Sequence, residues 1–180
     1  MQTTAAKLGI EATQMELTNH LMAEDPLAVV IRGHLYIERE LLNFIAACGL
    51  PQNQIPSKYA HRVQRAVKLG LPNEFSKQLV FVGKLRNRFG HHLNAKISKA
   101  DAEEFAAAYD LGDGVTEHAY QNTLAKMNDA TRARSVNDLE PKERVVLHII
   151  VLWAGVAVAT ARAKGVGMEE AQCATDANRV

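Results

Sequence analysis

The most apolar stretch of the chain is "VVLHIIVLWAGVAVATA", the 17 residues from Val145 to Ala161, which lie between Arg144 and Arg162. A helix made from this run has no polar face, so it must be enclosed on most of its sides. The run is at the lower edge of the length that spans a bilayer, and it contains His148 and many small residues. We therefore expect the buried helix of a globular bundle and no membrane partner.

Helical periodicity recurs along the rest of the chain, and no alternating strand pattern persists. Gly49 and Gly70 are predicted to end helices, and Ser57 and Ser98 are predicted to cap the start of the helices that follow them. A chain of 180 residues can bury one sizeable core. The prediction is an all-α fold, a single-domain antiparallel bundle of five to seven helices over residues 1–180, with its core in 25–165 and a flexible tail at 166–180. The expected helices cover residues 1–22, 24–48, 58–69, 73–90, 99–110 and 118–127, and a last long helix begins near residue 140.

Few signatures of cofactor or metal chemistry are present. Cys48 and Cys173 match no metal-ligand spacing, and there is no phosphate-binding glycine loop, zinc-binding HExxH helix or G-x-S-x-G turn. Charges at Lys7, Glu11 and Glu16 interrupt the N-terminal region, which therefore does not resemble a signal peptide. We predict a cytoplasmic protein that uses no cofactor and no metal.

The net charge of +1 hides a segregation of charge along the chain. The stretch from Lys58 to Lys99 holds ten lysines and arginines and one acid, Glu74, so it carries +9. The remaining residues hold 11 basic and 19 acidic side chains and carry −8. Such asymmetry indicates a polyanion partner for the middle of the chain, or else acidic and basic helices that pair with each other.

Two charges fall where apolar residues are expected. Phe75, Leu79, Val82 and Phe89 form the predicted core stripe of their helix, and Arg86 lies within that stripe. Ile31, Leu35, Leu42 and Ile45 form a similar stripe on an earlier helix, with Glu38 in its middle. A buried charge is costly unless it is paired, so Glu38 and Arg86 are expected to meet. The pair is either a structural salt bridge or part of a polar site.

The segment "LRNRFGHHL" from Leu85 to Leu93 concentrates arginine, asparagine and histidine near a predicted helix end. Asn87 and His91 share one face of that helix, whereas Arg86 and His91 are separated by about 140°. Lys77, Lys84 and Arg88 form another stripe, which is either a solvated face or a phosphate-binding one. Basic side chains at a helix end also complement the helix dipole without any further role.

Arg86, Asn87 and His91 match the R-x4-H pattern, with a polar residue directly after the arginine, of the HEPN superfamily of small helical proteins. The order of the segments "IRGHLYIERELLNFI", "KYAHRVQRAVKLGL" and "LRNRF" resembles bacterial HEPN-like and mannitol-repressor-like (MltR-like) proteins. The resemblance covers residues 25–95. It departs from many HEPN toxins at Leu93, where those proteins carry a tyrosine.

The resemblance implies a homodimer in which the motif helices of two chains form one cleft. In active members the cleft is a metal-independent endoribonuclease of toxin–antitoxin or phage-defence systems, so an RNA substrate and an antitoxin partner are implied. By that analogy Arg86 would hold the scissile phosphate, and His91 would act as general base or acid. Asn87 would orient the phosphate or the histidine. Candidate contacts to the nucleic acid are Lys77, Lys84, Arg88, Arg62 and Arg65, and Glu38 is an ion-pair partner or a site member. The alternative is a non-catalytic regulator or interaction protein, like the mannitol repressor, that uses the same groove.

Overall fold

The computed structural model describes residues 10–92, 94–108, 114–127 and 135–177. Within these residues the protein is entirely helical, as predicted, and contains no strand. Short 3-10 turns at Gln52–Gln54 and Val136–Asp138 precede two of the helices. The seven α-helices are α1 (Ile10–Ala23), α2 (Pro26–Ala47), α3 (Tyr59–Lys68), α4 (Glu74–His91), α5 (Lys99–Ala107), α6 (Gly114–Met127) and α7 (Pro141–Ala177).

Helix α7 lies at the centre of the bundle. It packs against α1, α2, α4, α5 and α6, and its residues from Val145 to Val158 are all buried. Gly155, within this run, lies against the ring of Phe75. This helix is long and apolar enough over Pro141–Gly165 to cross a membrane, but 83% of its most apolar window is buried inside the bundle. The structure is therefore compatible with a soluble protein, and the cytoplasmic location stays a prediction.

The helix ends follow local chemistry. Asp25 accepts hydrogen bonds from the backbone N–H groups of Leu27 and Ala28 and so caps α2. Gly49 and Gly70 end α2 and α3 with φ angles of 78° and 101°, which favour glycine. The predicted cap at Ser98 is confirmed, since Ser98 and Asp101 form a capping box. The predicted cap at Ser57 is wrong: Lys58 occupies the cap position of α3, and no side chain caps that end.

The core face of α2 differs from the predicted stripe. Ile45 is buried, but Ile31 and Leu42 are only partly buried and Leu35 is 56% exposed. Gly33 lies on the face that packs against α7, where an added Cβ would lie 2.7 Å from Cδ1 of Ile149, so the absence of a side chain lets α7 approach this face. The buried side chains accordingly belong to the neighbouring face: Val29, Val30, His34, Ile37, Leu41, Phe44 and Ile45.

The predicted core stripe of α4 is confirmed for its apolar members and wrong for Arg86. Phe75, Leu79, Val82 and Phe89 are buried, whereas Arg86 is exposed. Phe81 and Leu85 are buried as well, so the core face is wider than the stripe and is turned away from Arg86. Arg86 therefore lies at the edge of the core face, where a charged side chain reaches solvent at little cost.

The domain boundaries stay a prediction. One core joins side chains from α1 to α5 and α7, and a smaller cluster joins α6 to α7. The backbone of α7 continues as a helix to Ala177, and the side chains after residue 165 lie outside the described part of the chain.

Candidate functional site

A groove of about 470 Å³ lies between α2, α4 and the first turn of α3. It is the place where the structure brings together most of the polar residues that the sequence singled out. Among the described residues that line it, Lys58, Lys84 and Arg86 are basic and Glu38 is the only acid. The remaining polar lining consists of His34, Ser57, Tyr59 and Asn87.

Arg86 is exposed in this groove and keeps its charge available. Its Nη1 donates a hydrogen bond to Oδ1 of Asn87 at 3.0 Å. In the described part of the chain, no carboxylate lies within ion-pair distance of Arg86. The guanidinium and the amide thus form a pair of polar groups at the surface, and most of the guanidinium N–H donors have no acceptor among the residues that the structure describes.

The expected Glu38–Arg86 salt bridge is not formed. Oε1 of Glu38 instead accepts a hydrogen bond from Nη1 of Arg62 at 2.6 Å, and Nε of Arg62 donates to the backbone oxygen of Pro56 at 2.6 Å. Helix α3 inserts beside α2 and brings Arg62 to Glu38, a contact that periodicity within single helices does not reveal. Arg62 therefore has a structural partner, and its contact with nucleic acid stays a prediction.

His34 and Tyr59 form the inner wall of the groove. His34 is 4% exposed, and its Nδ1 lies 3.8 Å from Oε2 of Glu38. Burial lowers the pKa of His34, the negative charge of Glu38 partly opposes that effect, and the positive charge of Arg86 adds to it. Burial, together with Glu38, raises the pKa of Tyr59, whose hydroxyl donates to the backbone oxygen of Leu79 at 3.0 Å.

Arg88 lies two residues from Arg86 but on another side of α4. Its Nη1 and Nη2 donate to the two carboxylate oxygens of Asp101, each at 2.7 Å, and Nη2 also reaches the backbone oxygen of Lys96. Burial alone would raise the pKa of Asp101, but the hydrogen bonds from Arg88 and Ser98 outweigh it and lower the pKa. Arg88 thus ties α4 to α5, and its contact with nucleic acid stays a prediction.

The two predicted contact lysines lie together on the surface of α4. Lys77 and Lys84 are exposed and line a second, shallower depression of about 350 Å³. Lys84 and Val80 line both this depression and the groove, so the two are adjacent. Glu104 is the only acid among the described residues of the second depression. Arg65 is partly buried on α3 and lines neither feature.

His91 is exposed in the last turn of α4, one turn beyond Asn87, and does not line the groove. His92 follows it as the exposed cap residue. The structure therefore places Arg86 and Asn87 together within one chain and leaves His91 beyond the rim. Leu93, the departure from the HEPN toxin pattern, lies outside the described residues.

His34 lines the groove, although it is not among the candidate site residues predicted from the sequence. The available signal was its spacing, since His34 and Glu38 are four residues apart and therefore share a helix face. Among the described residues there is no group of three or more histidine, cysteine, aspartate or glutamate side chains that is arranged to hold a metal. Comparison with protein-family models, characterised proteins and solved structures gives no match to this chain.

Proposed function

We propose that this protein is an endoribonuclease of the HEPN type, which binds RNA in the groove and cleaves it without a metal ion. One observation carries the proposal. Within the described residues, Arg86 is an exposed arginine with no carboxylate partner, and it lies beside an amide in a groove whose one acidic residue, Glu38, is paired with Arg62. A site of this charge attracts phosphate.

The residue types suit phosphoryl transfer. Arg86 would donate to the non-bridging oxygens of the scissile phosphate and balance the charge that develops on them. Asn87, bonded to Arg86, would fix the direction of the guanidinium. His91 would exchange a proton with the RNA at the rim, as imidazole does near neutral pH.

The surface around Arg86 supports a strand of RNA rather than a single phosphate. Lys58 lies at one side of the groove, and Lys84 and Lys77 extend the positive surface into the adjoining depression. Positive charges spaced along a surface in this way contact successive phosphates of a nucleic acid. Such contacts do not depend on the base sequence. We therefore propose Lys84 and Lys77, but neither Arg62 nor Arg88, as phosphate contacts.

A homodimer is part of the proposal. Leu27 and Leu35 on α2 are 50% and 56% exposed, and Val80 on α4 is 42% exposed. An exposed apolar surface of this kind is typical of protein interfaces. A second chain would cover it and would bring its own His91 towards Arg86. Leu35→Glu should then convert the dimer to a monomer in light scattering, whereas Met15→Glu, which changes an exposed residue of α1, should not.

The decisive assay follows cleavage of total tRNA and of an unstructured RNA in EDTA. We expect cleavage by the wild-type protein and by His92→Ala, which alters an exposed neighbour, and a loss of at least about 100-fold for His91→Ala. Circular dichroism of each variant checks that the fold is intact. Wild-type protein that leaves both RNAs uncut, with or without added metal, would refute the ribonuclease.

The second candidate is a regulatory or interaction protein of the mannitol-repressor-like type, without catalysis. The exposed Leu27, Leu35 and Val80 favour it, because such a surface binds protein as readily as a second copy of the chain. Here the groove would bind a partner protein, such as an antitoxin, or a nucleic acid. RNA or DNA binding that weakens steeply with salt, in the absence of cleavage, would support this candidate.

A further inference from the structure

We propose that His34 is the general base of the groove and that Glu38 and Arg62 hold it in position. This inference rests on the proposed ribonuclease and adds a residue from another helix to it. It also changes the role of His91, which becomes the general acid. Within one chain, the site then comprises side chains from α2, α3 and α4.

Arg62, Glu38 and His34 lie in a row, with the carboxylate between the guanidinium and the imidazole. Arg62 donates to one oxygen of Glu38 at 2.6 Å, and the other oxygen of Glu38 lies 3.8 Å from Nδ1 of His34. At 3.8 Å the carboxylate acts on the imidazole through its charge rather than through a direct hydrogen bond. A base oriented by a carboxylate that is itself anchored is the arrangement that activates a hydroxyl in many enzymes.

The imidazole ring of His34 is held in place by the ring of Tyr59. The rings of His34 and Tyr59 are 4.5 Å apart between centroids, and the Tyr59 hydroxyl is bonded to Leu79 on α4. Tyr59 can lie this close to α4 because of Gly83, where an added Cβ would be 2.9 Å from Cε1 of Tyr59. With Nδ1 on the side of Glu38, Nε2 is the nitrogen left to accept a proton.

The surroundings of His34 favour the neutral form of its imidazole. Because burial and Arg86 lower the pKa of His34 and outweigh Glu38, the imidazole is neutral at neutral pH and can accept a proton. A catalytic base that must be neutral loses activity only when the pH falls below its pKa. The charged and titratable groups that surround it are Glu38 on its own helix, Lys58, Tyr59 and Arg62 from the α3 side, and Lys84 and Arg86 on α4.

The reaction that fits is internal transesterification of RNA. Nε2 of His34 would take the proton of the 2′-hydroxyl while the 2′-oxygen bonds to phosphorus. The bond from phosphorus to the 5′-oxygen then breaks, and His91 would give its proton to that oxygen. Arg86 would balance the charge on the non-bridging oxygens. The products are a 2′,3′-cyclic phosphate and a 5′-hydroxyl, and no water, metal or oxidant is consumed.

The test is single-turnover cleavage over about pH 5 to pH 9 by wild type, His34→Phe and His34→Gln. Phenylalanine keeps a ring against Tyr59, and glutamine keeps a polar group, so at least one variant should fold. We expect the rate to fall about 100- to 10,000-fold in both. Affinity for a 2′-O-methylated RNA, which cannot be cleaved, should change by less than about threefold, because Arg86 and the lysines are intact. The matched control is His61→Phe, an exposed histidine of α3 outside the groove.

Two further readouts separate a base from a structural histidine. Glu38→Gln should slow cleavage and shift the acidic limb of the pH profile to lower pH, because it removes the charge that raises the pKa of His34. In the wild-type protein, the Nε2 resonance of His34 should move when the 2′-O-methylated RNA is added.

Each outcome decides the inference. Wild-type cleavage together with normal cleavage by a folded His34 variant would overturn the role of His34 and leave the ribonuclease standing. An Nε2 resonance that ignores bound RNA would have the same meaning. If wild type does not cleave RNA at all, both proposals fall together.

Discussion

Arg86 and Arg88 are two residues apart on one helix, yet their surroundings differ in every respect that matters for function. Arg88 lies in a corner where α5 supplies Asp101, and both carboxylate oxygens are bonded to its guanidinium. Arg86 lies at the groove, where the one nearby acid is bonded to Arg62. A cluster of basic residues in a sequence therefore divides into charges that pair with a carboxylate and charges that, among the described residues, do not, and the neighbouring helices decide the division.

The largest effect should come from Arg86. We predict that Arg86→Ala lowers the cleavage rate by about 100- to 1,000-fold, since one donor to the transition state is lost. The free energy of unfolding should change by no more than about 0.5 kcal/mol, as expected for an exposed side chain. The control is Arg39→Ala, another exposed arginine that lies outside the groove. A clear loss of thermal stability in Arg86→Ala would show that Arg86, like Arg88, stabilises the fold.

The opposite pattern is expected for Arg88. Arg88→Ala should lower the free energy of unfolding by about 1–2 kcal/mol, because the mostly buried Asp101 loses two charged hydrogen bonds. The loss is not larger because Arg88 is partly exposed and solvent screens its interaction with Asp101. Arg88→Lys, which keeps the charge but not the two-point contact, should fall between. Chemical denaturation gives the stability, and cleavage per folded molecule should equal that of wild type. Reduced cleavage at full occupancy of the folded state would make Arg88 a contact to RNA after all.

The acid dependence of stability sharpens the structural half of the comparison. The pKa of Asp101 is lowered from 3.8 in the folded protein, so its contribution is complete above that pH and is lost as the pH falls through the folded pKa. The stability difference between wild type and Asp101→Asn should be constant above about pH 4 and should shrink below it.

The difference in stability between wild type and Asp101→Asn is measured, rather than the stability of either protein, because His148 also makes the stability depend on pH. Burial, with a further effect of Arg144, lowers the pKa of His148 to about 4. Both proteins should therefore lose stability together as the pH falls from 6.5 to about 4, since the unfolded chain takes up the proton first. A stability difference that stays constant down to the lowest pH would show that Asp101 has an ordinary pKa.

The smallest effect is expected at Lys84. Lys84→Ala should weaken RNA binding by a few-fold at moderate salt and reduce the dependence of log affinity on log salt by about one phosphate contact. Fluorescence anisotropy with a 2′-O-methylated RNA measures both. Lys68→Ala changes an exposed lysine of α3 that lies outside the groove and should leave the slope unchanged. Equal slopes for wild type and Lys84→Ala would remove Lys84 from the RNA-binding surface.

The sequence was sufficient to predict the central apolar helix, the all-helical class and the helix ends at Gly49, Gly70 and Ser98. These features depend on local residue order and on hydrophobic periodicity, which single helices carry in full. The helix cap at Ser57 was wrong because the chain enters α3 one residue later, through Lys58.

The partners of Glu38 and Arg88 were beyond sequence reasoning for a different reason. Glu38 is bonded to Arg62, 24 residues away, and Arg88 to Asp101, 13 residues away, and each contact crosses from one helix to another. Periodicity tells which face of a helix is apolar but does not tell how adjacent helices are rotated. On α2, the absence of a side chain at Gly33 decides that rotation, and so it decides that His34 lines the groove while Leu35 faces outward.

Helix α3 is held differently from its neighbours, because it packs on α2 and α4 and is not among the helices that surround α7. With its cap residue Lys58, it nevertheless supplies one side of the groove, through Tyr59, Ala60 and Val63. The Tyr59 hydroxyl donates to Leu79 of α4, and Arg62, outside the groove, donates to Glu38 of α2. The exposed Lys58 and Ala60 line the groove, whereas Val63 and Ala66 are buried in the main core, so substitutions at the first pair would change the groove wall and leave the core packing intact. At these two positions the lining of the groove is therefore separable from the stability of the bundle.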